Sequence, residues 1–177
     1  MAVILIGGGA RSGKSRYALD RARCSAAPTR NSDREGADKN LVFIATAEAH
    51  DEEMRRRIEQ HRADRGPDFT TIEAPVHLGA AIRSANGADA IVVDCLTLWL
   101  ANILDHDVDA AIRDLEASAR ASRATVILVT NEVGCGIVPD NALAREFRDR
   151  AGVLNQRMAD CASEVYWMVF GQPLRVK

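Results

Sequence analysis

The chain has 177 residues, enough for one domain that buries its own core without disulfides or a structural metal. Its 23 Lys and Arg stand against 25 Asp and Glu for a formal net charge of −2, and aromatic residues make up 5%. That balance excludes a dedicated nucleic-acid binder, which carries a basic excess or a stacking platform.

The N-terminal MAVILIG passes directly into a strand with no basic leader region ahead of it. No run reaches the ~20 apolar residues a membrane helix needs. Four cysteines, Cys24, Cys95, Cys135 and Cys161, form neither a C-x-x-C pair nor a zinc spacing and read as reduced thiols. The expectation is a cytoplasmic protein with no membrane insertion.

Val3 to Ile6 is a continuous β-branched run, the pattern of a strand buried on both faces. Glycines follow, then a predicted helix from Lys14 to about Arg23. Cys24 to Asn40 is polar without period and reads as an exposed, partly mobile loop. Leu41 to Ala45 is a second buried strand. A helix over about Asp51 to Asp64 carries acids at its start and arginines in its middle and end, which suits the helix dipole. Met54 and Ile58 give it an apolar stripe that His61 continues, so His61 is expected to point inward.

A third strand, Thr70 to Glu73, stops before Pro75. A helix from about Val76 to Ala85 ends at Asn86-Gly87, a C-cap signal. Ala90 to Asp94 is the fourth strand, followed by apolar residues at helical spacing from Leu96 to Leu104. A helix over about Val108 to Ser122 leads to a fifth strand, Thr125 to Thr130. A glycine-rich turn at 131–136 precedes a helix over about Ala142 to Ala162. Val165 to Phe170 and Leu174 to Val176 read as a closing hairpin. Strands alternating with helices predict an α/β fold: a mostly parallel sheet with helices on both faces, in one domain over 1–177.

The segment Gly8, Gly9, Ala10, Arg11, Ser12, Gly13, Lys14, Ser15 matches G-x-x-x-x-G-K-[ST] at every fixed position. It follows a buried strand and opens a helix, the context the motif requires. Backbone N–H groups of such a loop and the helix N-terminus hold phosphate oxygens. Lys14 is placed to bridge the outer phosphates, and the Ser15 hydroxyl to reach Mg²⁺. Asp94, closing the apolar fourth strand, fits the second magnesium position. An aspartate at that point also fits a cap on the next helix. The guanine-reading N-K-x-D of signalling GTPases is absent, and the D-x-x-G at Asp33 to Gly36 lies in the polar loop rather than after a strand.

His61, Arg62 and Arg65 crowd one helix end. An imidazole beside two guanidiniums suits attack on a phosphate, since the arginines can carry developing oxyanion charge. The same residues also fit a solvated basic helix face. His50, His77 and His106 have no acid partner in sequence and read as structural.

Taken together, GGARSGKS at Gly8 to Ser15, IATAEAHDEEMRRRI-x-x-H at Ile44 to His61, TIEAP at Thr71 to Pro75, VDCLTLWLAN at Val93 to Asn102 and TNEVGCGIVP at Thr130 to Pro139 resemble the bifunctional adenosylcobinamide kinase / adenosylcobinamide-phosphate guanylyltransferase family of cobalamin synthesis. FRDRAGVLNQRMAD, Phe147 to Asp160, resembles it too, so the likeness spans nearly the whole chain. Phe69 and Cys135 stand where that family commonly has Trp and Met.

The resemblance implies a P-loop NTPase-like (RecA-like) domain. It implies phosphorylation of adenosylcobinamide with ATP or GTP, then transfer of GMP from GTP to adenosylcobinamide phosphate through a GMP-histidine intermediate, with Mg²⁺. His61 matches that histidine. The family's nucleotide contacts map onto Gly8 to Ser15, Ala45, Thr46, Ala47, Arg62, Ala63, Asp64, Arg65, Glu73 and Asp94. The resemblance also implies a homotrimer. Two other readings stay open on the residues alone: a P-loop kinase without guanylyl transfer, and a regulatory nucleotide-binding module.

Overall fold

A computed structural model describes residues 2–25, 40–49, 51–85 and 87–177. Most of the polar stretch at 24–40, together with His50 and Asn86, therefore lies outside the described residues. The elements in chain order are β1 (Val3–Gly8), α1 (Lys14–Ser25), β2 (Leu41–Ala45), α2 (Glu52–Arg65), β3 (Phe69–Glu73), α3 (Leu78–Ser84) and β4 (Ala90–Asp94). They continue with α4 (Leu96–Asn102), α5 (Val108–Ala121), β5 (Thr125–Val129), α6 (Ala142–Cys161), β6 (Glu164–Val169) and β7 (Gln172–Arg175).

The strands form one seven-stranded sheet in the order β3-β2-β4-β5-β1-β6-β7. Every neighbouring pair is parallel except the β6–β7 hairpin. Because side chains alternate across a strand, the sheet divides its apolar residues between two cores. Val3, Leu5, Ile91, Val93, Val126 and Leu128 face α3, α4, α5 and α6. Ile4, Ile6, Leu41, Phe43, Val92, Ile127 and Val129 face Ala18, Leu19 and Ala22 of α1. Parallel strands covered on both faces read as unbroken hydrophobic runs, which is how the central strands were visible in the sequence.

The structure moves several helix and strand ends by a residue or two. Asp51 lies before α2 as its N-cap, its carboxylate accepting the Met54 N–H at 2.7 Å. Asp107 caps α5 in the same way, accepting from Ala110 at 2.9 Å. α3 begins at Leu78 rather than Val76, and its C-cap is Ala85, ahead of Gly87 at φ 90°. β5 stops at Val129, where the Thr130 hydroxyl turns to donate to Asn155 at 2.7 Å.

For the site, the important feature is register. Ala45 pairs with Asp94, Asp94 with Val129, and Ile6 with both Val129 and Tyr166. The carboxyl ends of β2, β4, β5, β1 and β6 therefore form one edge, the edge where open parallel sheets bind ligands. β5 lies between the phosphate-loop strand β1 and the acidic strand β4.

Trp99 of α4 is 1% exposed, and its indole N–H donates to the Val76 carbonyl at 2.8 Å. It joins α4 to the connection after β3. Trp99→Ala should destabilise the fold by about 3–5 kcal/mol, the range for deleting a buried aromatic side chain. A urea titration would measure this, and a loss below about 1 kcal/mol would mean the core closes over the gap.

Candidate active site

The phosphate loop turns on three left-handed residues: Gly8 at φ 149°, Arg11 at φ 54° and Gly13 at φ 88°. A Cβ on Gly8 would sit 3.0 Å from both the Met168 carbonyl oxygen and the Ser12 hydroxyl, so only glycine fits between β1 and β6. Arg11 holds a conformation that costs free energy for a residue with a side chain, a kind of strain found at ligand sites. Successive left-handed turns aim backbone N–H groups into a common concavity, the anion-binding arrangement expected from the motif.

Lys14 opens α1 and is buried. Its ammonium donates to the Gly9 carbonyl at 2.5 Å and the Ser12 hydroxyl at 3.4 Å. Burial lowers its pKa, and the neighbouring Asp94 and Cys95 pull it back up.

At the end of β4, Asp94 is only partly exposed, and its Oδ2 is buried with no hydrogen-bond partner among the described residues. Burial raises its pKa; hydrogen bonding from Ser15 and the charges of His61, Lys14 and Arg65 act the other way. Asp94 does not cap α4, since Cys95 holds the N-cap position and offers no side-chain hydrogen bond. An unpartnered carboxylate oxygen beside a serine hydroxyl is the donor set a hard cation takes, so Ser15 and Asp94 fit Mg²⁺. Among the described residues no group of three His, Cys, Asp or Glu could hold a metal. Ser15 and Asp94 would supply two oxygens to such an ion, and substrate phosphates and water would complete the shell.

Thr46 is fully buried beneath the same edge. Its hydroxyl donates to the Cys95 carbonyl and accepts the Cys95 N–H, both at 2.8 Å. Asn102 donates to its carbonyl at 2.8 Å. Thr46 therefore fixes the backbone that follows Asp94. The Cys95 thiol in this dry corner is pushed up to about 11, first by burial and then by the Asp94 charge.

α2 overhangs the cleft, and Arg65 is its buried residue. The Arg65 guanidinium lies 4.0 Å from the Phe43 ring centroid. Its backbone carbonyl accepts from Arg23 at 2.9 Å. Burial is the first cause lowering the Arg65 pKa, followed by the Arg62 charge, with Asp94 opposing both. Arg62 is ion-paired with Glu73 at the end of β3.

A cleft of about 1140 Å³ joins these parts. It exceeds the usual ~300–1,000 Å³ of a small-molecule site, which leaves room for a nucleoside triphosphate and part of a second substrate. Its wall includes Ala10, Arg11, Ser12, Gly13, Lys14, Ser15, Ala45, Ala47, His61, Arg62, Arg65, Glu73 and Asp94.

Five of the residues mapped onto nucleotide contacts do not line it: Gly8, Gly9, Thr46, Ala63 and Asp64. Gly8 and Gly9 shape the loop from behind. Thr46 is occupied with backbone. Ala63 and Asp64 fall on the other side of α2, because at 3.6 residues per turn they lie off the 61-62-65 face, and Gln60 donates to Asp64 at 2.7 Å.

His61 shares the cleft-facing side of α2 with Met54, Ile58, Arg62 and Arg65. The expected burial is corrected, however: His61 is exposed, and Met54 and Ile58 are only half-buried. α2 packs through its last turn, so its stripe lines a ligand cleft instead of the core. His77 and His106 are exposed and outside the cleft.

The residue-by-residue sequence reading did not assign Phe43, Arg16, Arg55, Cys95, Asn131 or Glu132, all of which line the cleft. The rule that ligands gather at the carboxyl ends of parallel strands would have picked out Asn131 and Glu132, which follow β5. The Glu132 N–H donates to the Gly8 carbonyl at 3.2 Å and ties the two loops together. Nothing in the sequence pairs Phe43 with Arg65.

A family model described as cobinamide kinase / cobinamide phosphate guanyltransferase matches residues 4–176. The bifunctional adenosylcobalamin biosynthesis protein CobU of Escherichia coli K12 is 37% identical to the chain over 193 residues, covering 99% of each. The protein of the same name from Salmonella typhimurium LT2 is 38% identical over 193 residues, again covering 99% of each. The bifunctional adenosylcobalamin biosynthesis protein CobP of Pseudomonas aeruginosa PAO1 is 41% identical over 180 residues, 98% of this chain and 96% of that one.

The raised pKa of Asp94 has a stability consequence with a definite sign. The folded chain binds this proton more readily than the unfolded one, so the fold loses stability as pH rises from the ordinary carboxylate range through the raised folded value. Asp94→Asn keeps the volume and removes the charge. At neutral pH its melting temperature without ligand should equal or exceed that of the wild type, while the gain in melting temperature from magnesium and ATP should shrink. Paired thermal melts measure both; a lower Tm without ligand would show that the charge stabilises the fold.

Proposed function

The chain belongs to the cobinamide kinase / cobinamide phosphate guanyltransferase family, and from that premise we propose how its cleft carries out two reactions. The enzyme phosphorylates adenosylcobinamide with a nucleoside triphosphate. It then transfers GMP from GTP to the resulting phosphate, giving adenosylcobinamide-GDP and pyrophosphate. The observation that carries the assignment is the convergence of a phosphate loop, Asp94 and the exposed His61 on one cleft.

In the kinase step the loop N–H groups and Lys14 hold the phosphate chain. The acceptor hydroxyl oxygen attacks the γ-phosphorus and gives up its proton to water, the bond to the β–γ bridging oxygen breaks, and a nucleoside diphosphate leaves. In the transferase step an imidazole nitrogen of His61 attacks the α-phosphorus of GTP. The α–β bridging bond breaks and pyrophosphate leaves from the loop. A phosphate oxygen of the corrinoid then attacks the phosphorus, the P–N bond breaks and His61 is regenerated. Splitting the transfer through a covalent intermediate replaces one hard displacement with two easier ones.

Arg62 and Arg65 stand on the His61 face, where they can take up oxyanion charge on the α-phosphate. Ser15 and Asp94 would hold Mg²⁺, which would neutralise charge on the outer phosphates. Among the described residues no helix is long and apolar enough to cross a membrane. We place the enzyme in the cytoplasm as a single catalytic domain and, by family resemblance, a homotrimer.

The direct test uses GTP labelled at the α-phosphorus: after denaturation the protein should carry acid-labile, base-stable label. A kinase without guanylyl transfer, or a regulatory module, would carry none. His61→Ala and His61→Asn should abolish both the label and guanylyl transfer, yet leave most phosphorylation of adenosylcobinamide. Label that persists on either variant sinks the nucleophile assignment, and loss of both activities together would give the helix a structural role. Lys14→Ala should lower kcat/KM of both reactions by about a hundredfold or more, since both need charge on the phosphate chain neutralised. Full kinase activity in that variant would remove the phosphate-loop assignment.

A further inference from the structure

The β6–β7 hairpin closes with the two-residue turn Phe170-Gly171, both residues left-handed at φ 50° and 79°. A tight turn of that form favours Asn-Gly or Gly-Gly, because left-handed φ is costly for a bulky side chain. Yet the first position holds phenylalanine, and its side chain is 97% exposed. The fold bears both backbone strain and an unburied aromatic ring at one residue. Such an outlier calls for a function.

Its location supplies one. β6 runs parallel to β1 and beside it, so the turn lies at the same sheet edge as the phosphate loop. A Cβ added to Gly13 would lie 3.7 Å from the Gly171 Cα, so the turn runs close alongside the loop. Phe170 thus borders the phosphate loop on the flank opposite Asp94 and α2: β4, β2 and β3 lie to one side of β1, and β6 and β7 to the other.

The two reactions demand opposite placements of a nucleotide on this loop. In guanylyl transfer the α-phosphorus must meet His61, so GTP points its nucleoside toward α2 and leaves its outer phosphates in the loop. In phosphorylation the γ-phosphorus must face the acceptor in the open cleft between the loop and α2. The nucleoside then has to leave by the other flank, over the hairpin. An exposed ring there offers a stacking face to any base without reading its identity.

We propose that Phe170 is the base platform for the phosphate donor of the kinase step, and that the two reactions use opposite nucleotide orientations on one phosphate loop. The inference rests on the kinase reading above.

The test compares the wild type with Phe170→Gly and Phe170→Trp, with Leu174→Ala on the same hairpin as a control. In the kinase assay Phe170→Gly should raise the KM for ATP about tenfold, within the range for losing one base–aromatic stack, with kcat unchanged. Phe170→Trp should restore it. The GTP concentration that half-saturates labelling of His61 should move far less than the ATP KM. Because glycine relieves the left-handed strain, the melting temperature of Phe170→Gly should stay level or rise, which separates lost stacking from lost folding. Calorimetry with magnesium and β,γ-imido-ATP repeats the comparison without any corrinoid. A wild type that phosphorylates no corrinoid would defeat the functional reading, and the calorimetry would still decide Phe170. An unchanged ATP KM and affinity in Phe170→Gly overturns the platform. Equal rises for ATP and for GTP labelling overturn the two orientations, and a rise confined to the corrinoid KM gives the ring to the other substrate.

Discussion

The burial of one carboxylate organises this site. Taking Asp94 out of water at the end of β4 raises its pKa, and leaving Oδ2 without a partner among the described residues compounds the cost. What offsets that cost comes from separate elements: Ser15 and Lys14 at the start of α1, and His61 and Arg65 on α2. Thr46, from the end of β2, clamps the next residue's backbone. A buried carboxylate at the floor of a cleft that also holds Lys14, His61 and Arg65 is a poor stabiliser and a good place for a cation. The folded chain keeps an electrostatic imbalance that substrate binding can relieve, a common relation between stability and function.

The central strands are deeply buried, and α2 is not. The central strands are buried on both faces and carry the phosphate loop, Ala45 and Asp94 at fixed register. α2 is held near its C-terminal end by the stacking of Arg65 on Phe43, by Arg23 on the Arg65 carbonyl and by the Arg62–Glu73 pair. The rest of its surface is mostly solvated, so little apolar burial resists displacement of the helix. His61 on such a helix stays exposed at the cleft, while the glycine loop of residues 8–15 and Asp94 are built on the sheet.

Continuous apolar runs mark the parallel strands in the sequence itself, because a strand covered on both faces has no polar side to show. The phosphate loop was equally legible. Its glycines, lysine and serine act through local backbone geometry, and local geometry is what a contiguous motif encodes. Asp94 was found as the polar residue that ends a buried strand. The motifs also carried the family, since their combination spans nearly the whole chain.

Other features depended on residues far apart in the chain. The exposure of His61 could not be taken from the Met54–Ile58 stripe, because an apolar helix face looks the same whether it meets a core or a ligand cleft. The Arg65–Phe43 stack joins positions 22 apart, which no periodicity links. Thr46 sits among residues that resemble nucleotide contacts, yet its hydroxyl is consumed by Cys95. Phe170 read as one more strand residue until the turn placed it at left-handed φ beside Gly13. Local sequence decides which backbone shapes and which chemical groups the chain has. Which of those groups face one another is a property of strand order and register, and these are set by long-range packing.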